Sequence, residues 1–538
     1  MDIWNQDQFL AQRFDYNSSH NEQFYGNSSY NQQFYGNSSH NQQFDDNSSY
    51  ASLSMDPTES TWPFPFPKPV PRPTEMDPYD PKLENMELLI TIFSILLCFM
   101  PIVFFYAIAR IISQKTAHLI PADSITRFII EFFVIIVPTV YFVNVWLLYS
   151  IYLNAFFCIC FVYGLYRFLK TKATERWYIH GGRRPFVLTF DRATINILTA
   201  IYIIGEHLGR FPVIYLKKRP FGAGVMDVGI GLYVFSMAVV ARRKSDLPRL
   251  KRTVGLLTTL GLIRLFCAQF LNVKQDIHDF GLHWNGFFTL AVTKLVCSYW
   301  CELFRKRILL FLSGVVLLIL HQVLLHEICY EVILNESLPR DTFIFANREG
   351  ILSLPGFMAI YVLSFCIGQI IRDPDVAVPR KEFEEATRTL GWMKALFMVL
   401  LIGSVFTFSV SRISCNTGYV IWILYIALYM NFIIMGVFHY FLNTLWFASQ
   451  ADEYARIFNV SMITAAQKSI YREYMPVIVR SMSENGWVCF VLASVYAHFI
   501  KIYKIRDFTE FECFCILNVF MFTVVVVNYV LYRCKRLW

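Results

Sequence analysis

The chain is built from apolar runs long enough to cross a lipid bilayer, separated by polar loops. A helix needs roughly 20 apolar residues to cross the hydrocarbon core, and on that template we count about thirteen spans. Only 16% of the residues are charged, against roughly a quarter in soluble proteins. We therefore expect an all-α, polytopic membrane protein with spans near 88–111, 128–146, 147–168, 193–206, 223–241, 253–272, 284–303, 307–326, 351–371, 392–411, 418–443, 487–503 and 511–532.

The first 82 residues differ in composition from the rest. A unit with the pattern NSS-x-N-x-Q-F recurs there and is followed by the proline-rich WPFPFPKPVPRP. Such a tract cannot bury a core, so we predict a disordered, low-complexity tail over 1–82 and a transmembrane domain over 83–538. We expect no cleavable signal, because no charged segment followed by an apolar run opens the sequence. Each repeat is also an N-x-S sequon, so a luminal tail would be glycosylated. The acceptors would be Asn17, Asn27, Asn37 and Asn47.

Lys and Arg concentrate in alternate loops, as the positive-inside rule describes. Basic groups follow the first, third, fifth and seventh predicted spans, and the C-terminus is basic as well. An odd number of spans places all of these groups on the cytosolic side. We therefore expect a luminal N-terminus and a cytosolic C-terminus.

One loop breaks the charge rule. The segment EHLGRFPVIYLKKRPFG carries Lys217, Lys218 and Arg219 on the side that we predict to be luminal. The cytosolic loops are more basic and could determine the orientation during insertion despite this loop. Alternatively, fixed cations are kept there to meet an anion such as a phosphate. The charge pattern leaves both explanations open.

Ionisable and amide side chains gather in the loops and span ends of one face. For any one of them an ion pair or a helix cap is a sufficient explanation, and we expect Asp227 and Arg264 to form such a pair inside the membrane. Together, a base, cations and amide donors at a membrane surface suit group transfer onto a lipid headgroup. The set comprises Glu206, His207, Asp227, Arg264, Asp276, His278, Asp279, His283, Asn347, Arg348 and Glu349.

The sequence holds no Walker loop, no serine elbow, no H-E-x-x-H motif and no spacing of cysteines that is typical of a metal site. We therefore expect no bound cofactor or metal, and nothing in the composition points to nucleic acid. The sequence does not indicate an oligomeric state.

Several stretches resemble one family when they are read in order. They are RRPFVLTFDRATINILTAIYII, GRFPVIYLKK, VMDVGIGLYVFSMAVV, LGLIRLF, DFGLHWNGFFTL and FANREGILSLPGFMAIY. This series is similar to the glucosaminyl-phosphatidylinositol inositol acyltransferases of GPI-anchor biosynthesis, and MDVGIG, GLHWN and ANREGI are its most specific parts. The resemblance implies a multi-pass endoplasmic reticulum protein with a luminal site. It implies transfer of a fatty acyl chain, typically palmitoyl, from acyl-CoA as co-substrate to the inositol ring.

The resemblance also implies roles for single residues. The family pattern has an acidic residue, then FP, a basic run ending in lysine, and MD-x-G-x-G. Here the lysine falls on Lys217 and the acidic position on His207, with Glu206 beside it. Glu206 or His207 would be the base, and Lys217 would stabilise the oxyanion or bind a phosphate. We expect the substrates, glucosaminyl-phosphatidylinositol and acyl-CoA, to be bound by Asp227, Arg264, His283, Asn285, Asn347 and Arg348.

Two alternatives remain. One is a different membrane O-acyltransferase built on a membrane-embedded His and Asn, for which His283 and Asn285 would be candidates. The other is a lipid transporter or scramblase, in which the intramembrane polar residues line a translocation path. For the acyltransferase interpretation, direct transfer from one amphiphile to the other needs no acyl-enzyme intermediate. Membrane lipids would surround both substrates.

Overall fold

The computed structural model describes fourteen stretches of the chain, which together hold every helix and strand discussed below. The predicted tail lies almost entirely outside them, and so do its four sequon asparagines. The described residues are 81–116, 118–121, 123–144, 147–170, 176–181, 185–208, 215–243, 246–270, 276–335, 338–372, 377–442, 446–448, 475–502 and 508–537.

The N-terminal half of the described chain is helical apart from one short strand, β1, at Arg176–Ile179. A π-helical turn, Phe132–Ile136, joins α3 to α4. The helices are α1 (Pro81–Leu97), α2 (Met100–Lys115), α3 (Ile125–Glu131), α4 (Val137–Asn144), α5 (Leu147–Lys170), α6 (Phe186–His207), α7 (Val225–Val239), α8 (Leu247–Phe270), α9 (Ile277–Phe280) and α10 (Gly286–Leu303).

The C-terminal half adds ten helices and two more short strands, β2 (Ala377–Pro379) and β3 (Trp446–Ala448). π-Helical turns extend α11 over Leu325–Cys329 and α17 over Gly436–Phe441. The helices are α11 (Arg307–Leu324), α12 (Tyr330–Leu334), α13 (Phe343–Ala346), α14 (Arg348–Leu352), α15 (Leu354–Ile371), α16 (Arg380–Phe408), α17 (Thr417–Met435), α18 (Val477–Glu484), α19 (Gly486–Ile502) and α20 (Glu510–Leu537).

The predicted fold class is confirmed: the protein is an all-α, polytopic membrane protein. Each of the thirteen predicted spans coincides with a helix. Nine of these, in the described part of the chain, are membrane-length and strongly apolar, and three more are shorter apolar helices. The nine are Glu84–Lys115, Ile125–Val143, Phe186–His207, Leu247–Phe270, Arg307–Leu334, Arg348–Ile371, Arg380–Phe408, Thr417–Phe441 and Glu510–Cys534.

Helices α6, α7, α15 and α17 form the centre of the bundle. In the most apolar parts of α6 and α17, 83% of the residues are buried, whereas only 11% are in α8 and 28% in α11. A close approach at the centre depends on Gly368 of α15, where a Cβ atom would lie 2.3 Å from the carbonyl oxygen of Val239. Small residues allow such contacts between membrane helices. The outer helices expose apolar side chains, as a lipid-facing surface requires.

A small sheet, absent from the sequence prediction, joins three distant loops. Its strands run antiparallel in the order β2-β1-β3, with Tyr178 opposite Val378 on one side and Trp446 on the other. The buried Tyr178 hydroxyl lies 2.8 Å from His439 Nε2 in the π-helical turn after α17. The sheet therefore fixes the end of α17 that lies farthest from the polar cluster described next.

Candidate functional site

An arginine that the sequence reading did not single out lies at the centre of the polar cluster. Arg412 lies in the loop between α16 and α17, where its Nε donates to Asp227 Oδ1 at 2.9 Å and its Nη2 to Asp279 Oδ1 at 2.6 Å. Arg412 and Asp227 are buried. Burial would lower the pKa of Arg412, but Asp279 and Asp227 outweigh it and raise that pKa above its ordinary value. The guanidinium therefore stays charged and joins three separate segments.

The predicted pair of Asp227 with Arg264 is wrong. Asp227 opens α7 and is paired with Arg412, and its Oδ2 accepts the backbone N–H of Lys218 at 3.0 Å. Arg264 is exposed on α8 and forms no ion pair with any residue that the structure describes. The prediction assumed that an arginine inside an apolar run would pair with the nearest carboxylate in the membrane. In the structure that carboxylate, Asp227, is already paired with Arg412.

Three cations converge on Asp279. Lys217 Nζ donates to its Oδ2 at 2.6 Å, while Arg219 and Arg412 donate to its Oδ1 at 3.1 and 2.6 Å. Burial would raise the pKa of Asp279, but Arg412, Lys217 and Arg219 together hold it well below its usual range. Arg219 also donates to Asp276 at 2.8 Å. The carboxylates of Asp276 and Asp279, at the start of α9 and within it, therefore offset the charge of Lys217 and Arg219.

The loop that carries Lys217 is attached at both ends. Tyr215 packs on Tyr202 of α6, with ring centroids 5.4 Å apart, and Tyr202 lies one helical turn before Glu206. At the other end, Ser411 Oγ donates to Pro220 O at 2.9 Å. These contacts tie the Lys217 loop to the C-terminal end of α6 and to the Arg412 loop.

Glu206 and His207, the two candidates for the base, occupy the last turn of α6 and are both half-buried. His207 Nδ1 lies 3.1 Å from the carbonyl oxygen of Ile203. Because a carbonyl only accepts, this contact places a proton on Nδ1 and leaves the Nε2 lone pair of the neutral ring available. Glu206 forms no ion pair within the described ranges. Either group can accept a proton from a neighbouring hydroxyl.

Asn347 shapes the segment that presents Asp279. Its Oδ1 accepts the backbone N–H groups of His283 and Trp284 at 2.7 and 2.9 Å, and its Nδ2 donates to Phe343 O at 2.9 Å. Gly281 turns beside it with a φ of +110°, where a Cβ atom would lie 2.5 Å from the Asn347 Cα. A bulkier residue would therefore push the two segments apart. Both Oδ1 and Nδ2 of Asn347 therefore serve this structural contact.

The other predicted substrate contacts also have partners inside the protein. Asn285 caps α10 by accepting from Phe287 and Phe288, and its Nδ2 donates to Gly261 O of α8 at 3.0 Å. Arg348 is buried and donates to Asn335 O at 2.7 Å. These side chains therefore hold the loops in place, and a part in substrate binding stays a prediction for them. The described contact of His283 is the hydrogen bond from its backbone N–H to Asn347 Oδ1.

A second buried pair braces the same end of the bundle. Glu349 accepts both terminal nitrogens of Arg340, at 2.5 and 3.2 Å, and it is 1% exposed. Glu349 belongs to the polar set selected from the sequence, whereas its partner Arg340 was not selected. Neither Arg340 nor Arg412 lies inside an apolar run. The free-energy cost of a charge within the membrane, which selects a residue such as Arg264, therefore did not apply to them.

Residues 88–531 match the profile of the GWT1 family. The chain belongs to the GWT1 family. The resemblance drawn from the motifs is thereby confirmed at the level of the family.

Three relatives illustrate the similarity. The chain is 31% identical over 258 residues to GPI-anchored wall transfer protein 1 of Schizosaccharomyces pombe, which covers 46% of this chain and 55% of that protein. The protein of the same name from Kluyveromyces lactis is 31% identical over 213 residues, 37% of this chain and 47% of the relative. The phosphatidylinositol-glycan biosynthesis class W protein of Dictyostelium discoideum is 25% identical over 433 residues, 70% of this chain and 83% of the relative. The chain thus spans about half the length of the first two relatives.

Proposed function

We propose that this GWT1-family protein is an acyltransferase of GPI-anchor biosynthesis, which moves a fatty acyl chain from acyl-CoA to the inositol ring of glucosaminyl-phosphatidylinositol. The names of its relatives, which refer to GPI anchors and to phosphatidylinositol-glycan biosynthesis, support the pathway. The resemblance adds palmitoyl as the acyl group and the endoplasmic reticulum membrane as the location. The substrates are glucosaminyl-phosphatidylinositol and acyl-CoA, within surrounding membrane lipids.

The observation that carries the proposal is the placement of Lys217. Asp279 fixes its ammonium group at 2.6 Å, and the Tyr215–Tyr202 contact ties its loop to the helix that ends in Glu206 and His207. A lysine ammonium has three donors, so two remain for substrate after Asp279 takes one. A base at the end of α6, and a positioned donor on a loop that packs against the same helix, are the groups that acyl transfer to an alcohol requires.

The chemistry follows from these groups. An inositol hydroxyl is a poor nucleophile until a base removes its proton, and Glu206 or the Nε2 atom of His207 supplies that base. The oxygen attacks the thioester carbonyl, whose electrons move onto the carbonyl oxygen, and Lys217 stabilises the resulting oxyanion. Collapse of this intermediate expels the CoA thiolate, which takes up the proton. The new ester remains on the inositol.

A comparison of two adjacent lysines tests the role of Lys217. Lys218 contributes its backbone N–H to Asp227, so removal of its side chain leaves that contact in place. Losing one oxyanion donor lowers turnover by about a hundredfold or more. We expect purified Lys217→Ala protein to lose acyl transfer to that extent and Lys218→Ala protein to retain it, at equal protein levels. Wild-type turnover by Lys217→Ala protein would overturn the catalytic role of this lysine.

The same assay separates the two candidate bases. Glu206→Gln and His207→Gln each remove a proton acceptor while keeping a polar side chain of similar size. The true base is the residue whose replacement lowers the turnover number and flattens its dependence on pH. If both variants keep the wild-type profile, the end of α6 does not supply the base.

A further inference from the structure

The end of the bundle opposite the Arg412 cluster carries a second concentration of basic side chains, where α7, α10 and α15 end and α11 begins. Helix α7 starts at the cluster with Asp227, and its 15 residues extend roughly 22 Å away from it to Val239. Helix α15 ends beside Val239, as the contact at Gly368 shows. The described cations on these four helix ends are Arg242, Arg243, Arg305, Lys306, Arg307 and Arg372.

Three of these arginines tie the three helix ends to one another. Arg372, after α15, donates to Ala241 O at 2.5 Å, and Arg307, which opens α11, donates to Gln369 O at 3.4 Å. Arg243 donates to the backbone carbonyl of Arg305, between α10 and α11. The segment after α7, the turn between α10 and α11, and the end of α15 therefore form a closed triangle. We call this set of six cations the basic triangle.

The basic triangle contains no ion pair within the described part of the chain. Its three fixed arginines bind neutral carbonyl oxygens, and Glu302 forms no salt bridge with any of the six cations. Arg243 Nε is buried and has no acceptor among the described residues. Burial lowers the pKa of Arg372, and neighbouring Arg242 lowers it further. The positive-inside rule accounts for exposed Lys and Arg in such loops. It does not account for guanidinium groups that are fixed close together against their mutual repulsion.

We propose that the basic triangle is a binding site for a phosphate-bearing group. Guanidinium groups present several N–H donors in a fixed fork that matches phosphate oxygens, and an anion would relieve the repulsion among them. The group has two possible sources with the same chemistry: the nucleotide phosphates of coenzyme A and the headgroup of an anionic lipid. The coenzyme A source rests on the proposed function, whereas the lipid source is independent of it.

Binding to the purified full-length protein in phosphatidylcholine nanodiscs tests the proposal. Coenzyme A is titrated directly, with pantetheine as the probe that lacks the phosphates. Phosphatidate is compared with phosphatidylcholine by native mass spectrometry of delipidated protein. Saturable binding of coenzyme A but not pantetheine identifies the nucleotide source, and selective retention of phosphatidate identifies the lipid source. Absence of binding by both phosphate probes up to about 1 mM, a free energy of only about −4 kcal/mol, overturns the proposal.

The variant for this test is Arg305→Gln/Lys306→Gln. Both residues are exposed, and within the described ranges Arg305 contributes to the triangle through its backbone carbonyl, so the exchange leaves the triangle folded. The matched control, Lys251→Gln/Arg252→Gln, removes the same charge from exposed positions on α8. We expect the bound probe to lose about tenfold or more in affinity in the first variant, because a hydrogen bond to a charged group contributes that much. Equal affinities for the two variants would overturn the proposal.

The outcome is separable from that of the proposed function. Coenzyme A and phosphatidate carry no transferable thioester, so binding is measured without turnover. If the wild-type protein binds a phosphate probe but transfers no acyl group, the proposed reaction is refuted and the phosphate site is retained. If it transfers the acyl group but binds neither phosphate probe, the phosphate site is refuted and the proposed reaction is retained.

Discussion

Removing the Arg412 side chain should destabilise this protein more than removing any surface arginine. Arg412 is 5% exposed and its partner Asp227 is 1% exposed, so neither is screened by solvent. Among the described residues, Arg412→Ala leaves the Asp227 carboxylate with the Lys218 N–H as its one donor, whereas Asp279 keeps Lys217 and Arg219. The loss in the free energy of unfolding therefore comes mainly from the unpaired carboxylate of Asp227. Breaking a buried pair by removing one partner costs about 3–5 kcal/mol.

The assay is unfolding in mixed micelles at rising SDS fraction, followed by tryptophan fluorescence. The control is Arg249→Ala, because Arg249 and Asp246 form a pair whose side chains are 75% and 54% exposed. Such surface pairs contribute about 0–1 kcal/mol. Adding Asp227→Asn to Arg412→Ala removes the unpaired charge and should restore part of the loss. The reasoning is refuted if Arg412→Ala unfolds at the same SDS fraction as Arg249→Ala.

Three further predictions concern other parts of the molecule. Asp279 has a depressed pKa in the folded state, so its stabilisation is present above the unfolded value of about 3.9 and is lost as the pH falls further; melting curves should show that Asp279→Asn lowers stability at pH 7 and that its difference from wild type shrinks below about pH 4. Asn347→Ala leaves two backbone N–H groups without their acceptor, so hydrogen exchange of His283 and Trp284 should accelerate, and unchanged exchange would contradict the bracing role. If the tail is luminal, glycosidase treatment of microsomes should increase gel mobility, and replacing its four sequon asparagines should abolish that shift.

The helices were predictable from the sequence because the bilayer fixes their length and composition. The apolar runs around 351–371 and 418–443 became α15 and α17 with ends displaced by a few residues. The small sheet was not predictable, because strands of three or four residues from three distant loops carry no periodicity. Their pairing is decided only when the helices bring the loops together.

The sequence predicted several members of the candidate site, but it missed Arg412 at the centre and the pairings that Arg412 makes. Motif order and polarity selected Lys217, Asp227 and Asp279 from the sequence alone. The partner of Asp227 was missed, because a pairing between residues 185 positions apart depends on how α7 packs against α17. Arg412 lies in a short loop, where an arginine is unremarkable until the fold buries it.

The central claim is that this protein transfers an acyl group to the inositol ring. The most direct measurement incubates the purified protein with radiolabelled palmitoyl-CoA and glucosaminyl-phosphatidylinositol, and then removes glucosamine by nitrous acid deamination. We expect the label to remain on the phosphatidylinositol fragment, because the new ester is on inositol, and to be absent when Lys217→Ala protein replaces the wild type. Label that leaves with the sugar, or a lack of any labelled product from folded wild-type protein, would contradict the account.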